Sequence, residues 1–426
     1  MIIISSQPER FSGELYVPGD KSITHRALMI GALARGITEV REFPDDQDCR
    51  AAVNCLRSLG VRITFKDGRL LIEGRNKKLR QPLNNLDAGN SGTTARLLLG
   101  VLAGQGFKAT LSGELSLQKC SLKDVTHPLQ LMGAVFEGND EGLPLTTGGA
   151  RLQPISYRSP RASAQVKSAI LLAGLYPRGT TTVEEPEQSP NHTELMLDRF
   201  GAKIMAEDCR VTMQGGTVLK GGQIRIPGDI SAAAFLMVAA ALVPGSDVLL
   251  KNVGVNPTRS GIIDVLLRMG ADIEVQQEKL WGKEPIADIQ IRAGSKLKGL
   301  PVGGDIISRL EDEIPALAVA ASVAEGRTVI SNGFKRNSRT SERLVNLAGQ
   351  LNRLGAKMVE TEEGMIIEGG TKLKGTEVDC CGDHLLARAL VVAGLAAEGD
   401  TVVHGAEVIN TSFPGFMQAL RSLIMK

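Results

Sequence analysis

Two kinds of helical segment alternate along the chain, and their hydrophobic patterns distinguish them. The first kind begins at a polar or glycine-rich turn and continues as a nearly unbroken apolar run, as in residues 17–30. Such a turn supplies an N-cap, and a helix that is apolar on every side must be buried. Equivalent openings occur at residues 89–94, 163–168, 227–231, 311–315 and 382–384. Their spacing of roughly 65–80 residues predicts a repeated supersecondary unit.

The second kind of segment is amphipathic and ends at a glycine. A Leu-rich helical pattern stops at Gly60, Gly133, Gly201, Gly270 and Gly355, which are expected at the C′ position. Short alternating strands follow, such as residues 62–65 and 69–74. The repeated unit is therefore predicted to run helix, strand, helix, strand, strand.

A sixth copy of the unit begins at residue 412, and the chain reaches Lys426 before its strands. Only the N-terminal segment 1–16 could supply them, which would join the two chain ends in one domain. The sequence at 226–229 also repeats the pattern at 17–20. We therefore expect residues 21–226 to form an inserted domain, and residues 1–20 plus 227–426 to form the other.

Composition and charge restrict the classes of function. At 426 residues the chain can build two well-buried cores, and 49 Lys and Arg against 47 Asp and Glu give no excess charge for nucleic acid. No apolar run is long enough to span a membrane, and no secretion signal is present. The six cysteines lack C-x-x-C spacing and the five histidines form no metal motif. We therefore expect a cytoplasmic protein without metal or cofactor.

Cations near the openings of the apolar helices indicate the class of ligand. Unpaired N–H groups and the positive end of the helix dipole favour an anion at each opening. The cations at or beside these openings are Lys21, Arg26, Arg96 and Lys167, and the cations expected to join them in a shared cleft are Arg259, Arg339 and Arg343. If these helix ends face one cleft, the ligand carries more than one anionic group.

Five segments of the chain resemble the motifs of a known family, at residues 19–26, 86–94, 163–169, 227–231 and 256–259. In that order and register they resemble the motifs of the 5-enolpyruvylshikimate-3-phosphate (EPSP) synthases. The resemblance covers essentially the whole chain. It implies a two-domain α/β (α+β) fold, the inside-out α/β barrel of the enolpyruvyl transferases. Each domain of that fold has three βαβαββ repeats, and the active site lies in the cleft between the domains.

The resemblance also implies an activity. EPSP synthases transfer the enolpyruvyl group of phosphoenolpyruvate to the 5-hydroxyl of shikimate 3-phosphate, a carboxyvinyl transfer in chorismate and aromatic amino acid biosynthesis. The expected partners are these small anionic substrates, without nucleic acid or membrane. We expect a monomer.

Residue roles follow from the same resemblance, position by position. It implies Asp312 and Lys21 as the catalytic groups. The residues implied to bind shikimate 3-phosphate are Lys21, Ser22, Arg26, Ser163, Ala164, Gln165, Ser189, Asp312 and Arg339. The residues implied to bind phosphoenolpyruvate are Lys21, Gly92, Gln165 and Arg343.

Four positions depart from the family pattern. Cys120, Asp124 and Leu385 stand where the family has arginines, and Thr340 stands where it has a glutamate. Two alternatives to the transferase therefore remain open. One is a paralogue that binds shikimate or a related cyclic acid but not phosphoenolpyruvate, and catalyses another reaction such as elimination of a ring hydroxyl. The other is a catalytically silent binding protein.

Overall fold

The chain folds into two units. The computed structural model describes residues 1–138, 142–149, 151–331 and 339–425. One unit comprises Met1–Pro18, Gly228–Lys279 and Pro285–Lys426, and we name it the terminal unit. The other comprises Gly19–Pro227 and Leu280–Glu284, and we name it the inserted unit. The sequence-based boundaries were placed at 20/21 and 226/227.

Short strands make up the sheets of both units. In chain order they are β1 (Ile2–Ser5), β2 (Arg10–Tyr16), β3 (Arg35–Arg41), β4 (Arg62–Lys66), β5 (Arg69–Arg75), β6 (Leu86–Asp87), β7 (Ala109–Ser112), β8 (Val135–Gly138), β9 (Leu145–Gly148), β10 (Ser156–Arg158), β11 (Thr180–Glu184), β12 (Lys203–Glu207), β13 (Arg210–Gln214), β14 (Gln223–Arg225), β15 (Asp247–Gly254), β16 (Asp272–Trp281), β17 (Glu284–Arg292), β18 (Pro301–Gly303), β19 (Arg327–Ser331), β20 (Lys357–Thr361), β21 (Gly364–Glu368), β22 (Glu377–Asp379), β23 (Thr401–His404) and β24 (Ile424–Met425).

Helices alternate with these strands. They are α1 (Lys21–Leu33), α2 (Gln47–Ser58), α3 (Gly92–Ala103), α4 (Leu115–Gln118), α5 (Lys123–Leu131), α6 (Ala164–Gly174), α7 (His192–Arg199), α8 (Ile230–Leu242), α9 (Gly261–Arg268), α10 (Ile314–Val323), α11 (Arg339–Arg353), α12 (His384–Leu395) and α13 (Phe416–Leu423). Single 3₁₀ segments occupy Gly304–Arg309, Glu311–Glu313 and Ala406–Thr411.

The inserted unit contains three βαβαββ repeats, as predicted. Two of them run β6-α3-β7-α5-β8-β9 and β10-α6-β11-α7-β12-β13. In each sheet the first two strands are parallel and the last two pair antiparallel, in the orders β6-β7-β9-β8 and β10-β11-β13-β12. The first repeat takes its leading strand from the far end of the unit, because β14 pairs in parallel with β3.

The terminal unit repeats the same topology. Its sheets are ordered β16-β17-β15-β2-β24, β18-β19-β21-β20 and β1-β23-β22. The N-terminal segment completes the last repeat, because β1 pairs antiparallel with β23 and β24 pairs with β2. The prediction that the first residues supply the missing strands is therefore confirmed. Within the described ranges the sheets stay small and separate, and none closes into a barrel.

The apolar helices form the core of each unit. In the inserted unit α1, α3 and α6 are buried along most of their length, and in the terminal unit α8, α10 and α12 are. Helices α3 and α6 approach closely at Gly100, where an added Cβ would lie 2.3 Å from the Ala169 carbonyl oxygen. The second helix of each repeat is amphipathic and covers this core from one side.

The predicted C′ glycines occupy the left-handed region. The φ angles are +82° at Gly60, +99° at Gly133, +89° at Gly201, +93° at Gly270 and +93° at Gly355. A side chain is strained at such angles, so glycine is the residue that lets each helix stop and reverse into the next strand.

Across the described ranges, no helix combines the length and hydrophobicity that a bilayer crossing requires.

Candidate active site

Lys21 lies in the first turn of α1. Asp20 caps this helix, with its carboxylate accepting from the Ile23 N–H at 2.7 Å. The Lys21 ammonium forms an ion pair with Asp48 at 2.7 Å, and its side chain is 27% exposed. Burial alone would lower the pKa of Lys21, but Asp48 and then Asp46 outweigh it and raise the pKa above its ordinary value. Lys21 is therefore a cation at neutral pH that solvent or a ligand can reach.

Asp46 is a buried acid beside Lys21. It caps α2 through Oδ1, which accepts from the Cys49 N–H at 2.8 Å. Its Oδ2 is buried without a hydrogen-bond partner among the described residues. Burial raises the pKa of Asp46 to about 6, although Lys21 acts in the opposite direction. Asp46 and Asp48 thus place two carboxyl groups around one candidate catalytic ammonium.

His25 links α1 to α3. Its Nδ1 lies 2.7 Å from the Lys21 carbonyl oxygen and its Nε2 lies 3.0 Å from the Thr94 hydroxyl. A carbonyl can only accept, so we assign the ring proton to Nδ1 and an acceptor role to Nε2. Burial lowers the pKa of His25 to about 4, so the ring is neutral in the physiological range. The residue fixes the backbone at Lys21.

Arg26 connects α1 to α6 and α7. Its side chain is 3% exposed, and its Nε donates to the Thr193 hydroxyl at 2.7 Å. Its two Nη groups donate to the Ser22 carbonyl at 2.8 Å and to the Ser168 hydroxyl at 3.0 Å, with a longer contact of 3.5 Å to the Ala164 carbonyl. Ser22 and Ala164, both predicted ligand residues, are therefore joined through Arg26.

The N-terminus of α6 is a ready anion site. Ser163 caps the helix by accepting from the Val166 N–H at 3.4 Å, which leaves its own hydroxyl proton to donate elsewhere. The N–H groups of Ala164 and Gln165 belong to the first turn, where no intrahelical acceptor exists. Gln165 donates its side-chain amide to the Thr93 hydroxyl at 3.0 Å. Four predicted ligand or neighbouring groups thus meet at one positive helix end.

Ser189 joins this helix end through a buried acid. Its hydroxyl donates to Glu185 at 2.7 and 2.9 Å, and the same carboxylate accepts from the Ser163 N–H at 2.7 Å. Lys167 forms ion pairs with two carboxylates, at 2.8 Å to Glu185 and 2.9 Å to Glu194. Burial alone would lower the pKa of Lys167, but Glu194 and Glu185 raise it.

Three further predicted positions lie at the start of α3 and α5. Gly92 opens α3, and its carbonyl accepts from Arg96 at 3.4 Å. Asp124, in the first turn of α5, lies 3.7 Å from Arg96 and is half-exposed. Cys120 is partly buried against the core and contacts the Ser116 carbonyl at 3.4 Å. An aspartate at 124 thus takes up part of the positive charge of Arg96.

In the terminal unit, Asp312 lies beside a buried acid. Arg259 donates to Asp312 and to Glu313, each at 3.1 Å, and to the Ser231 hydroxyl at 2.5 Å. Ser231 in turn donates to Glu313 at 2.5 Å. Burial raises the pKa of Glu313 to about 7, while Arg259 lowers it and Asp312 raises it further. Asp312 itself is half-exposed and available to a ligand.

Arg343, in α11, contacts the start of α12, where Leu385 lies. Arg343 donates to the capping Asp383 at 2.6 Å, and that carboxylate also accepts from the Leu385 N–H at 2.8 Å. Leu385 is buried. The side chains of Arg339 and Thr340 lie outside the described part of the structure, so the structure does not test their predicted roles. In the part that the structure describes, no group of three or more His, Cys, Asp or Glu could hold a metal ion.

Sequence reasoning missed the acids that hold these cations. Asp45 and Asp46 lie just before α2 and Asp48 in its first turn, and Glu185 follows Glu184 at the end of β11. The sequence therefore showed clusters of acids at the ends of these elements. It did not identify which cation each acid would meet, because the partners are distant in sequence.

Comparison with known proteins gives a consistent result. A family model described as EPSP synthase (3-phosphoshikimate 1-carboxyvinyltransferase) matches residues 5–420. A protein of that name from Desulforamulus reducens is 48% identical over 430 residues, covering all of both chains. Another from Pelotomaculum thermopropionicum is 48% identical over 417 residues, with 97% of this chain and 96% of that protein covered. An EPSP synthase structure from Acinetobacter baumannii is similar with a TM-score of 0.89 at 40% identity, covering 100% of this chain and 98% of that one.

These findings do not favour the paralogue or the silent binding protein, since the similar proteins carry the transferase name across the full chain length. The predicted fold class, with its βαβαββ repeats, is confirmed. The chain belongs to the EPSP synthase family.

Proposed function

We propose that this protein transfers the enolpyruvyl group of phosphoenolpyruvate to the 5-hydroxyl of shikimate 3-phosphate, as a step of the shikimate pathway. The observation that carries the proposal is the anion-accepting N-terminus of α6, in a chain that belongs to this family. Both substrates are polyanions, and a helix N-terminus with a serine cap suits a phosphate group.

We propose that the phosphate and ring of shikimate 3-phosphate bind at Ser163, Ala164, Gln165, Ser189 and Arg339, and that the ring carboxylate binds at Ser22 and Arg26. Support comes from the hydroxyl proton that Ser163 retains and from the first-turn N–H groups of α6. Arg26 already donates four hydrogen bonds within the protein. A bound carboxylate would therefore share this guanidinium with Ser22 and Ser168.

We propose that phosphoenolpyruvate binds at Lys21, Gly92, Gln165 and Arg343. Lys21 supports this role, because a cation with a raised pKa stays charged when it meets a dianion. Gln165 contacts Thr93, the residue after Gly92, so its side chain already lies beside that helix end.

The reaction requires proton transfers at two centres, the 5-hydroxyl and C3 of phosphoenolpyruvate. The 5-hydroxyl adds to C2 of phosphoenolpyruvate while a proton is delivered to C3, and the adduct then loses phosphate together with a proton from C3. Asp312 is proposed to accept the hydroxyl proton, and its half-exposed carboxylate supports this role. Lys21 is proposed to donate a proton or to stabilise the negative charge on the departing phosphate.

Release of inorganic phosphate tests the proposal directly. Purified protein is mixed with shikimate 3-phosphate and phosphoenolpyruvate, and phosphate is measured against reactions that lack either substrate. We expect release that requires both. A rate equal to that of buffer would overturn the proposed function. Calorimetry then separates a transferase, which takes up phosphoenolpyruvate once shikimate 3-phosphate is bound, from a protein that binds only the cyclic acid.

We further propose that the protein works as a monomer in the cytoplasm. The net charge is close to zero, and the chain matches a relative from Desulforamulus reducens over the full length of both. Both observations support an enzyme that acts on dissolved metabolites. Sedimentation at several concentrations tests the oligomeric state, because a monomer keeps one sedimentation coefficient across them.

A further inference from the structure

A lysine is buried in the middle of the candidate phosphate subsite without facing it. Lys167 is 3% exposed and lies in the second turn of α6. Its ammonium contacts Glu185 at 2.8 Å, Glu194 at 2.9 Å and the Ser189 carbonyl at 3.2 Å. The ammonium is therefore surrounded by two carboxylates and a carbonyl of its own protein.

Glu185 is the second part of this network, and it joins two loops. One loop leads into α6 and ends at Ser163, whose N–H donates to Glu185 at 2.7 Å. The other leads into α7 and carries Ser189, whose hydroxyl donates to both carboxylate oxygens. Glu185 is 5% exposed, so it holds both loops from the protein side.

We propose that Glu185 and Lys167 are positioning residues for the phosphate group of the cyclic substrate, a role that rests on the proposed function above. They hold the cap of α6 and Ser189 at the spacing that the phosphate requires. Neither residue touches the substrate.

The charges of the network support a geometric role. Two carboxylates and one ammonium give a formal charge of minus one, which cannot attract a phosphate. What the network supplies is preorganisation of the backbone, because Glu185 holds the Ser163 N–H and Lys167 holds the Ser189 carbonyl before the ligand arrives. A serine has one hydroxyl proton, so Ser189 must turn from Glu185 to the phosphate on binding. Glu185 then still holds Ser163 and Lys167.

Two substitutions change the Glu185 carboxylate in different ways. Glu185→Gln keeps the shape and removes the charge, whereas Glu185→Asp keeps the charge and shortens the reach by one carbon. Glu184→Gln is the matched control, because Glu184 is the adjacent residue and pairs at the surface with Arg158 at 3.1 Å. Calorimetry on the full chain measures the Kd for shikimate 3-phosphate and for shikimate, and a thermal melt reports folding.

We expect both Glu185 variants to weaken shikimate 3-phosphate binding by about tenfold to a hundredfold, the effect of misplacing hydrogen bonds to a charged group. Shikimate binding should change by less than about threefold, because it has no phosphate to place. Glu184→Gln should bind both ligands as the wild type does.

Three outcomes would overturn the proposal. Wild-type affinity for shikimate 3-phosphate in both Glu185 variants would remove the positioning role. Tighter binding in Glu185→Gln would mean that the carboxylate competes with the phosphate. Equal loss of both ligands, or loss of the thermal transition in both variants, would assign the network to the fold as a whole. A wild type that binds shikimate 3-phosphate but releases no phosphate would instead refute the proposed function and leave this inference standing.

Discussion

Replacement of a buried arginine offers a quantitative test of the packing in the terminal unit. Arg388 lies on α12 and is 3% exposed. It makes two long hydrogen bonds of 3.4 Å, to the His384 carbonyl and the Ser412 hydroxyl, and lies 4.6 Å above the ring of Phe235. No carboxylate among the described residues forms an ion pair with it. We predict that Arg388→Met stabilises the protein.

The magnitude follows from the shifted pKa. Burial lowers the pKa of Arg388 from its ordinary value to about 10, against the opposing pull of Asp229, Asp312 and Asp383. A difference of that size corresponds to about 3 kcal/mol of destabilisation of the charged form. Methionine fills most of the same volume but loses the contact between guanidinium and ring, which contributes about 1–2 kcal/mol. The expected net gain in the free energy of unfolding is about 1–2 kcal/mol.

The sign of the pH dependence follows from the same shift. A cation whose folded pKa lies below its unfolded pKa destabilises the fold at every pH below the folded value. The penalty fades only as pH rises above about 10, towards the ordinary pKa of arginine. The stability difference between Arg388→Met and wild type should therefore be constant at neutral pH and shrink above pH 10.

Calorimetric or urea unfolding at pH 7.5 measures the change. A gain of about 1–2 kcal/mol in a unit of this size raises Tm by about 2–8 °C. Arg353→Met is the control, because Arg353 lies in the last turn of α11 and is exposed, so its replacement should change stability by less than about 0.5 kcal/mol. A loss of stability in Arg388→Met with an unchanged control would show that Arg388 is a structural partner of the surrounding carboxylates and would refute the reasoning.

Three further substitutions test other parts of the account. Lys21→Met should lower turnover by about 10²–10⁴ in the phosphate-release assay, and wild-type turnover would exclude a catalytic lysine. Asp46→Asn keeps the helix cap and removes an acid whose folded pKa is raised to about 6. Its stability should match that of the wild type near pH 4 and exceed it by about 2–3 kcal/mol above pH 6, since the raised pKa makes the wild type lose stability as pH rises through that window. Gly74→Ala should destabilise by about 3 kcal/mol, because its Cβ would lie 2.3 Å from the Ala34 carbonyl oxygen, whereas Gly222→Ala meets no atom within 4 Å.

Local signals in the sequence predicted the fold well. The predicted helix openings contain caps at Asp20, Ser91 and Ser163, whose side chains accept first-turn N–H groups, and the C′ glycines adopt the expected left-handed conformation. Cap and C′ positions depend on neighbours within four residues, so the sequence contains the whole interaction. Even the long-range pairing of β1 with β23 was predictable, because the last repeat lacked strands that only the first residues could supply.

The contacts around the candidate site were not predictable in the same way. Lys21 meets Asp48 and Lys167 meets Glu185 and Glu194, and each pair is brought together by elements from different parts of one repeat. Acids cluster near the starts of α2 and α7, and hydrophobic spacing does not rank them as partners. Only packing of the core helices decides which acid reaches which cation.

Each of three core helices contains one buried cation, and the kind of partner differs. Lys167 in α6 has two carboxylates, Arg26 in α1 donates to neutral oxygens at 2.7–3.5 Å, and Arg388 in α12 has two long hydrogen bonds and the Phe235 ring. The desolvation free energy lost on burial is similar for the three cations, so their partners determine whether each charge stabilises the fold. The sequence shows a cation in an apolar helix in all three cases. It cannot separate Lys167, whose removal would leave two carboxylates uncompensated, from Arg388, whose removal is expected to stabilise the protein.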